Sequence, residues 1–215
     1  MEIEKIINIL RKEVKKYNRP SVTRISLEGG PFKVLISCLL SLRTKDEVTI
    51  KASLRLFERA DKPEDILKLK VTEIEKLIYP VGFYKTKARR IKEICEKLVK
   101  EYDNKVPDEI DELLKFKGVG RKTANLVVGL GYGKPSITVD VHVHVLSNRL
   151  GWVNTKTSEQ TEFELLKVLP KKHWNIINDL FVIYGQNVCT TVYPKCGRCI
   201  IEEFCVYNKK ELNRV

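Results

Sequence analysis

Long apolar runs are missing from this 215-residue sequence. The longest, Val34 to Leu42, is interrupted by Ser37 and Ser41 and falls far short of the roughly 20 residues that span a bilayer. No signal-peptide pattern opens the chain either. Met1-Glu-Ile-Glu-Lys-Ile mixes both charge signs at once, which predicts a protein that stays in a reducing cytoplasm. In that compartment the six cysteines do not read as three disulfides. Period-two alternation over any useful length is absent, as are internal repeats and low-complexity linkers. Acidic residues are in deficit: 28 Asp plus Glu stand against 40 Lys plus Arg, a net charge of +12. That excess suits a polyanion, nucleic acid or an anionic membrane, and the footprint favours nucleic acid over an untargeted charged surface.

What is present reads as helix. Ile3, Ile6, Ile7, Leu10, Val14 and Tyr17 form one apolar stripe, and Ala88, Ile91, Cys95, Leu98 and Tyr102 form another. Thr44 with Glu47 and Thr72 with Glu75 fit the capping box, while Pro63 and Pro107 suit first helical turns and Pro80 a helix stop. The expected fold is all-α. Gly131-Tyr-Gly-Lys-Pro135 is the best break between two helical lobes.

After Cys189 the helical periodicity ends. Cys189, Cys196, Cys199 and Cys205 follow the pattern C-x6-C-x2-C-x5-C, and four thiolates so close in sequence can converge on one metal centre. Spacing alone does not separate zinc from an iron–sulfur cluster. Lys195 and Arg198 lie between these ligands, so the loop presents cations suited to backbone phosphates, and the metal reads as structural rather than redox-active. Cys38 and Cys95, on apolar helical faces, read as small core residues.

The densest chemical information lies in Leu113-Leu-Lys-Phe-Lys-Gly-Val-Gly-Arg-Lys-Thr-Ala-Asn125. One helix ends near Phe116, Gly118-Val119-Gly120 makes a tight turn, and a second helix begins near Arg121. Amides of the turn and of the new helix then form an anion site suited to a phosphodiester. Val81 and Phe83 flank Gly82 in another turn, followed by Lys85 and Lys87. An apolar tip backed by cations would wedge a base stack open while gripping phosphates; the plain alternative places both apolar residues in the core.

Gly118-Val-Gly-Arg-Lys-Thr-Ala-Asn125, Gly133-Lys-Pro-Ser-Ile-Thr-Val-Asp140 and Val141-His-Val-His144 resemble the helix-hairpin-helix glycosylases with the Gly-Pro…Asp signature. The trailing four-cysteine loop resembles endonuclease III in particular. Leu39-Leu-Ser41, Val81-Gly-Phe-Tyr84 and Ser147-Asn-Arg149 fall where that family has similar segments, so the resemblance runs from about residue 25 to Tyr207. It implies Lys122 as nucleophile, Asp140 as its acidic partner, and the four clustered cysteines as ligands of a four-iron four-sulfur cluster. It further implies a six-helix lobe holding the hairpin (25–135) and a cluster lobe built from 1–24 and 136–215, with duplex DNA bound in the cleft of a monomer. The implied activity is a glycosylase and abasic-site lyase acting on oxidised pyrimidines. Cutting the strand requires an amine that attacks C1′ and forms an imine, which water or serine cannot supply. Gly118, Val119, Gly120, Arg121, Arg43, Val81, Phe83, Lys195 and Arg198 are the expected DNA contacts. His142 and His144 read as structural or DNA-facing, and His173 invites no special role.

Three positions depart from the family pattern. Arg43 stands where relatives usually carry the Gln that fills the space left by the flipped nucleotide, and arginine would favour a guanine acceptor edge. Phe116-Lys117 replaces the usual Leu-Pro of the hairpin, and Val141 the usual Thr after Asp140. Competing expectations are a mismatch or oxidised-purine glycosylase of the same fold, a non-catalytic hairpin DNA-binding protein, and an iron–sulfur electron carrier.

Overall fold

The computed structural model describes residues 2–27 and 29–208. Among the described residues there is no strand, and no helix is long and apolar enough to cross a membrane. The chain divides into two compact units, Ser21–Ser136 and Met1–Pro20 with Ile137–Val215.

The first unit comprises α2 (Ser21–Ser26), α3 (Pro31–Ser41), α4 (Asp46–Arg59), α5 (Pro63–Lys68), α6 (Val71–Ile78), α7 (Tyr84–Glu101), α8 (Ile110–Leu114) and α9 (Arg121–Leu126). A π-helical segment, Val127–Gly131, continues α9. Its core gathers Leu35, Leu40, Leu56, Ile74, Ile91 and Leu98 with other fully buried apolar side chains, each contributing about 1.5–3 kcal/mol by leaving water. Cys38 and Cys95 lie inside this core, where burial pushes both thiols up to about 12.

Helix starts differ from the sequence expectation. Lys45 and Lys70, not Thr44 and Thr72, occupy the N-cap positions of α4 and α6. The reciprocal partner at α6 is Glu73, whose carboxylate accepts from the Lys70 amide at 2.7 Å. Thr44 instead accepts the Gly82 amide, a long-range contact that took it out of local capping. Pro63 does open α5, whereas Pro107 precedes α8 by three residues. α6 ends at Ile78, before a cis Tyr79–Pro80 bond.

The second unit joins α1 (Glu2–Glu13) to α10 (Val141–Arg149), α11 (Ser158–Val168) and α12 (Trp174–Asn187). Ile6, Ile7 and Leu10 of α1 pack with Val143, Leu146, Leu165, Phe181 and Tyr184. Glu4 of α1 accepts from His173 at 3.0 Å and pairs with Lys172, tying the unit's two chain segments together. His173, which the sequence left without a role, is thereby a buried structural residue.

Candidate functional site

The hairpin is anchored from inside. Phe116 and Val119 are buried, Val119 donates its amide to Phe116 at 3.0 Å, and the glycines between and after them stay exposed. Gly118 sits at φ +86°, a left-handed conformation that a side chain would strain. Val119 therefore shapes the turn and offers no side chain to a partner. Arg121 opens α9, and Lys122 follows it, exposed in the first helical turn between buried Thr123 and the turn itself. First-turn amides have no intrahelical acceptor and carry the positive end of the helix dipole, so the surroundings of Lys122 suit a phosphodiester.

Asp140 lies in the other unit, half-buried, as the N-cap of α10. Its Oδ1 accepts the Val143 amide at 3.0 Å, which leaves its second oxygen for other work. His142, two residues further, lies against Gly185 of α12, where a Cβ would stand 2.4 Å from the imidazole Nδ1. His144 bonds Thr161 at 2.7 Å within a network that includes Thr155 and Asn148, a structural role.

Arg43 and Phe83 are brought together. Both are exposed non-glycine residues at positive φ, +52° and +57°, and the Arg43 guanidinium lies 5.7 Å from the centroid of the Phe83 ring. Val81, expected beside Phe83 at the tip, is only 1% exposed and belongs to the core. The turn rotates it inward, so the apolar tip is Phe83 alone. Lys87, expected to reach phosphates, is buried as well.

All four clustered cysteines line one cavity, with Arg149 and Tyr207 among its walls. Among the described residues, no group of three or more His, Cys, Asp or Glu is placed to hold a single metal ion. Four thiols facing one cavity are a donor set that an iron–sulfur cluster takes. Two donors point at the sulfurs: Arg149 Nη1 reaches Cys189 Sγ at 3.2 Å, and Tyr184 Oη reaches Cys199 Sγ at 3.2 Å. Arg149 also donates to the carbonyls of Thr190 and Thr191 at 2.8 Å each and lies 4.8 Å from the Tyr207 ring. Lys195 and Arg198 are exposed, and Lys195 also lines the cysteine cavity, its Nζ donating to the Asn187 carbonyl at 3.2 Å.

Residues 36–171 match the model of the HhH-GPD superfamily base excision DNA repair proteins. Endonuclease III of Thermotoga maritima is 47% identical over 85% of this chain and 86% of the relative. The chain belongs to the endonuclease III family. Endonuclease III of Escherichia coli is 35% identical over 90% of this chain and 92% of its own. A solved endonuclease III–DNA covalent intermediate, an estranged-adenine complex, superposes with a TM-score of 0.80 at 32% identity and covers 98% of both chains. Membership carries an enzyme class: the chain is a DNA glycosylase and abasic-site lyase of base excision repair.

Sequence reasoning put Lys87 on the surface and gave Arg149 no role of its own. Lys87 carried a readable signal, since it stands four residues before Ile91 and seven before Ile94 on the buried stripe of α7. Arg149 carried none beyond its place in Ser147-Asn-Arg149, because its four hydrogen bonds all reach some forty residues along the chain.

Proposed function

We propose that this chain excises oxidised pyrimidines from duplex DNA and cuts the cleared strand, with Lys122 as nucleophile and Asp140 as its acidic partner. The observation that carries the reading is Lys122 itself: an exposed amine in the first turn of a helix that follows a glycine hairpin, where backbone amides favour a phosphodiester. Gly118, Gly120 and Arg121 hold the strand there, and Arg43 and Phe83 occupy the gap left by the extruded nucleotide. Asp140 takes the ammonium proton, and Nζ bonds to C1′ as the base leaves with the glycosidic electron pair. Opening of the sugar ring gives an imine. Loss of the C2′ proton then expels the 3′ phosphate, and water releases Lys122. Asp140, capped onto α10 through one oxygen, keeps the other to steady positive charge on the sugar.

Cys189, Cys196, Cys199 and Cys205 would hold a four-iron four-sulfur cluster, which supplies structural cross-linking of the loop. Arg149 and Tyr184 orient two of its thiolates, and Lys195 and Arg198 face DNA phosphates. Six free thiols suit a reducing cytoplasm. The hairpin lobe spans 25–135 and the cluster lobe 1–24 with 136–215, in a chain acting as a monomer.

Borohydride trapping on duplex DNA with an abasic site tests the assignment. Wild-type protein is expected to form a covalent adduct that Lys122→Gln abolishes. A folded, cluster-loaded protein that binds the duplex but yields no adduct would overturn the lyase reading.

A further inference from the structure

Lys87 is a lysine in the wrong place for a DNA-binding surface. Its residue is 8% exposed, on the inward face of α7. Its Nζ donates to the carbonyl of Leu40 at 2.9 Å, to that of Leu42 at 2.6 Å and to the Thr44 hydroxyl at 3.2 Å. Three oxygens converge on one ammonium, and all three belong to the segment that carries Arg43. Burying a charge is costly unless it is fully hydrogen-bonded, and here burial pulls the lysine down to about 8. Such an arrangement needs a return.

The neighbouring turn supplies one. The same Thr44 hydroxyl accepts the Gly82 amide at 3.1 Å. Gly82 approaches the Arg43 segment so closely that a Cβ there would stand 2.6 Å from the Arg43 carbonyl oxygen. Arg43 and Phe83, both held in the left-handed region, then meet side chain to side chain. Residues at sparsely populated backbone angles persist only where their surroundings over-determine them, and Lys87 with Thr44 does so here.

We propose that Lys87 is a positioning residue that clamps the Leu42–Thr44 turn to the Gly82–Phe83 turn, so that Arg43 and Phe83 enter the duplex as one preassembled wedge. The clamp deepens the proposed function and rests on its base-extrusion step, not on Lys122 chemistry. The wedge needs no ordering when it meets DNA, so the free energy of binding goes into unstacking rather than into fixing two loops. Because Lys87 points inward, its charge does not displace counterions from DNA.

The experiment uses the full chain with a duplex carrying a tetrahydrofuran abasic analogue, which forms no imine, and 2-aminopurine in the opposite strand as a stacking reporter. Wild type is expected to bind and to brighten the reporter. Lys87→Met is expected to lose roughly tenfold in affinity, the worth of one charge-assisted hydrogen-bond set, and most of the brightening. Its salt slope should remain that of wild type, whereas loss of a phosphate contact would lower the slope by about 0.9. A reduced slope with brightening intact would assign Lys87 to phosphate and overturn the clamp. Equal affinity and equal brightening would overturn it too, as would a wild type that binds without disturbing the reporter. Thr44→Val, which removes the shared hydroxyl without burying an unpaired charge, should show the same loss in weaker form and decides the matter if Lys87→Met does not fold. A wild type that binds and brightens but gives no borohydride adduct leaves the clamp standing while the lyase assignment falls.

Discussion

Gly185→Ala sets two effects of known sign against each other. Gly185 is buried in the last turn of α12, where alanine raises helix propensity by at most about 1 kcal/mol. The new methyl, however, would sit 2.4 Å from His142 Nδ1, 2.8 Å from its Cγ and 3.0 Å from its Cβ. Turning the ring about χ2 moves Nδ1 away but leaves Cγ and Cβ in place, so the His142 side chain must leave its rotamer or α10 must shift. Overpacking of this kind costs typically about 1–3 kcal/mol. The net expectation is a loss of about 1 kcal/mol, or a fall in Tm of about 2–4 °C for a chain of this size. Thermal unfolding followed by circular dichroism at equal cofactor content is the assay. A shift of α10 would reach Asp140, two residues before His142, and would weaken base release as well. Adding His142→Ala should recover stability, with a coupling of at least about 0.5 kcal/mol between the two sites. A rise in Tm, or additive single and double variants, would refute the packing argument.

Asp140 has two jobs that substitution separates. Asp140→Asn keeps a capping oxygen and should leave Tm nearly unchanged while base release collapses; Asp140→Ala should lose about 1 kcal/mol of stability in addition. The Lys172 ammonium first, and His173 second, hold the Glu4 carboxyl below its ordinary range. A lowered carboxyl contributes stability above its unfolded pKa, near 4.5, and loses that contribution as pH falls through the folded value. Tm measured from neutral pH down past 4.5 should therefore fall less steeply in Glu4→Gln than in wild type, and parallel curves would remove the pair from the acid response. Cys205→Ser should collapse iron and labile-sulfide content while far-UV helicity persists, because the larger apolar core lies in the other unit. Wholesale loss of helicity would contradict that view.

The helices were legible because their stripes, from Ile3 to Leu10 and from Ala88 to Leu98, repeat a period that only one backbone geometry satisfies. The hairpin was legible for a different reason: two glycines bracketing one residue leave few other turns. Capping was not, since a threonine three residues before a glutamate specifies a helix start only if nothing distant competes for the hydroxyl, and Gly82 competes for that of Thr44. Val81 and Phe83 look alike as apolar neighbours of a glycine, and only the rotation of the turn buries one and exposes the other. A buried lysine runs against the strongest surface preference of any residue type. Its place on the α7 stripe was the sole hint.

α10 has a property that follows from its two ends. Nine residues long, it rises about 13 Å at 1.5 Å per residue. Asp140 stands at its head, and Arg149 at its foot grips the Cys189–Thr191 backbone. A short helix transmits displacement as a stiff strut does. A displacement of the Cys189–Thr191 backbone that moves Arg149 is therefore expected at the Asp140 end as well. The carboxylate proposed for base release and the four-cysteine loop then share one mechanical part, with its two ends gripped by different segments of the chain.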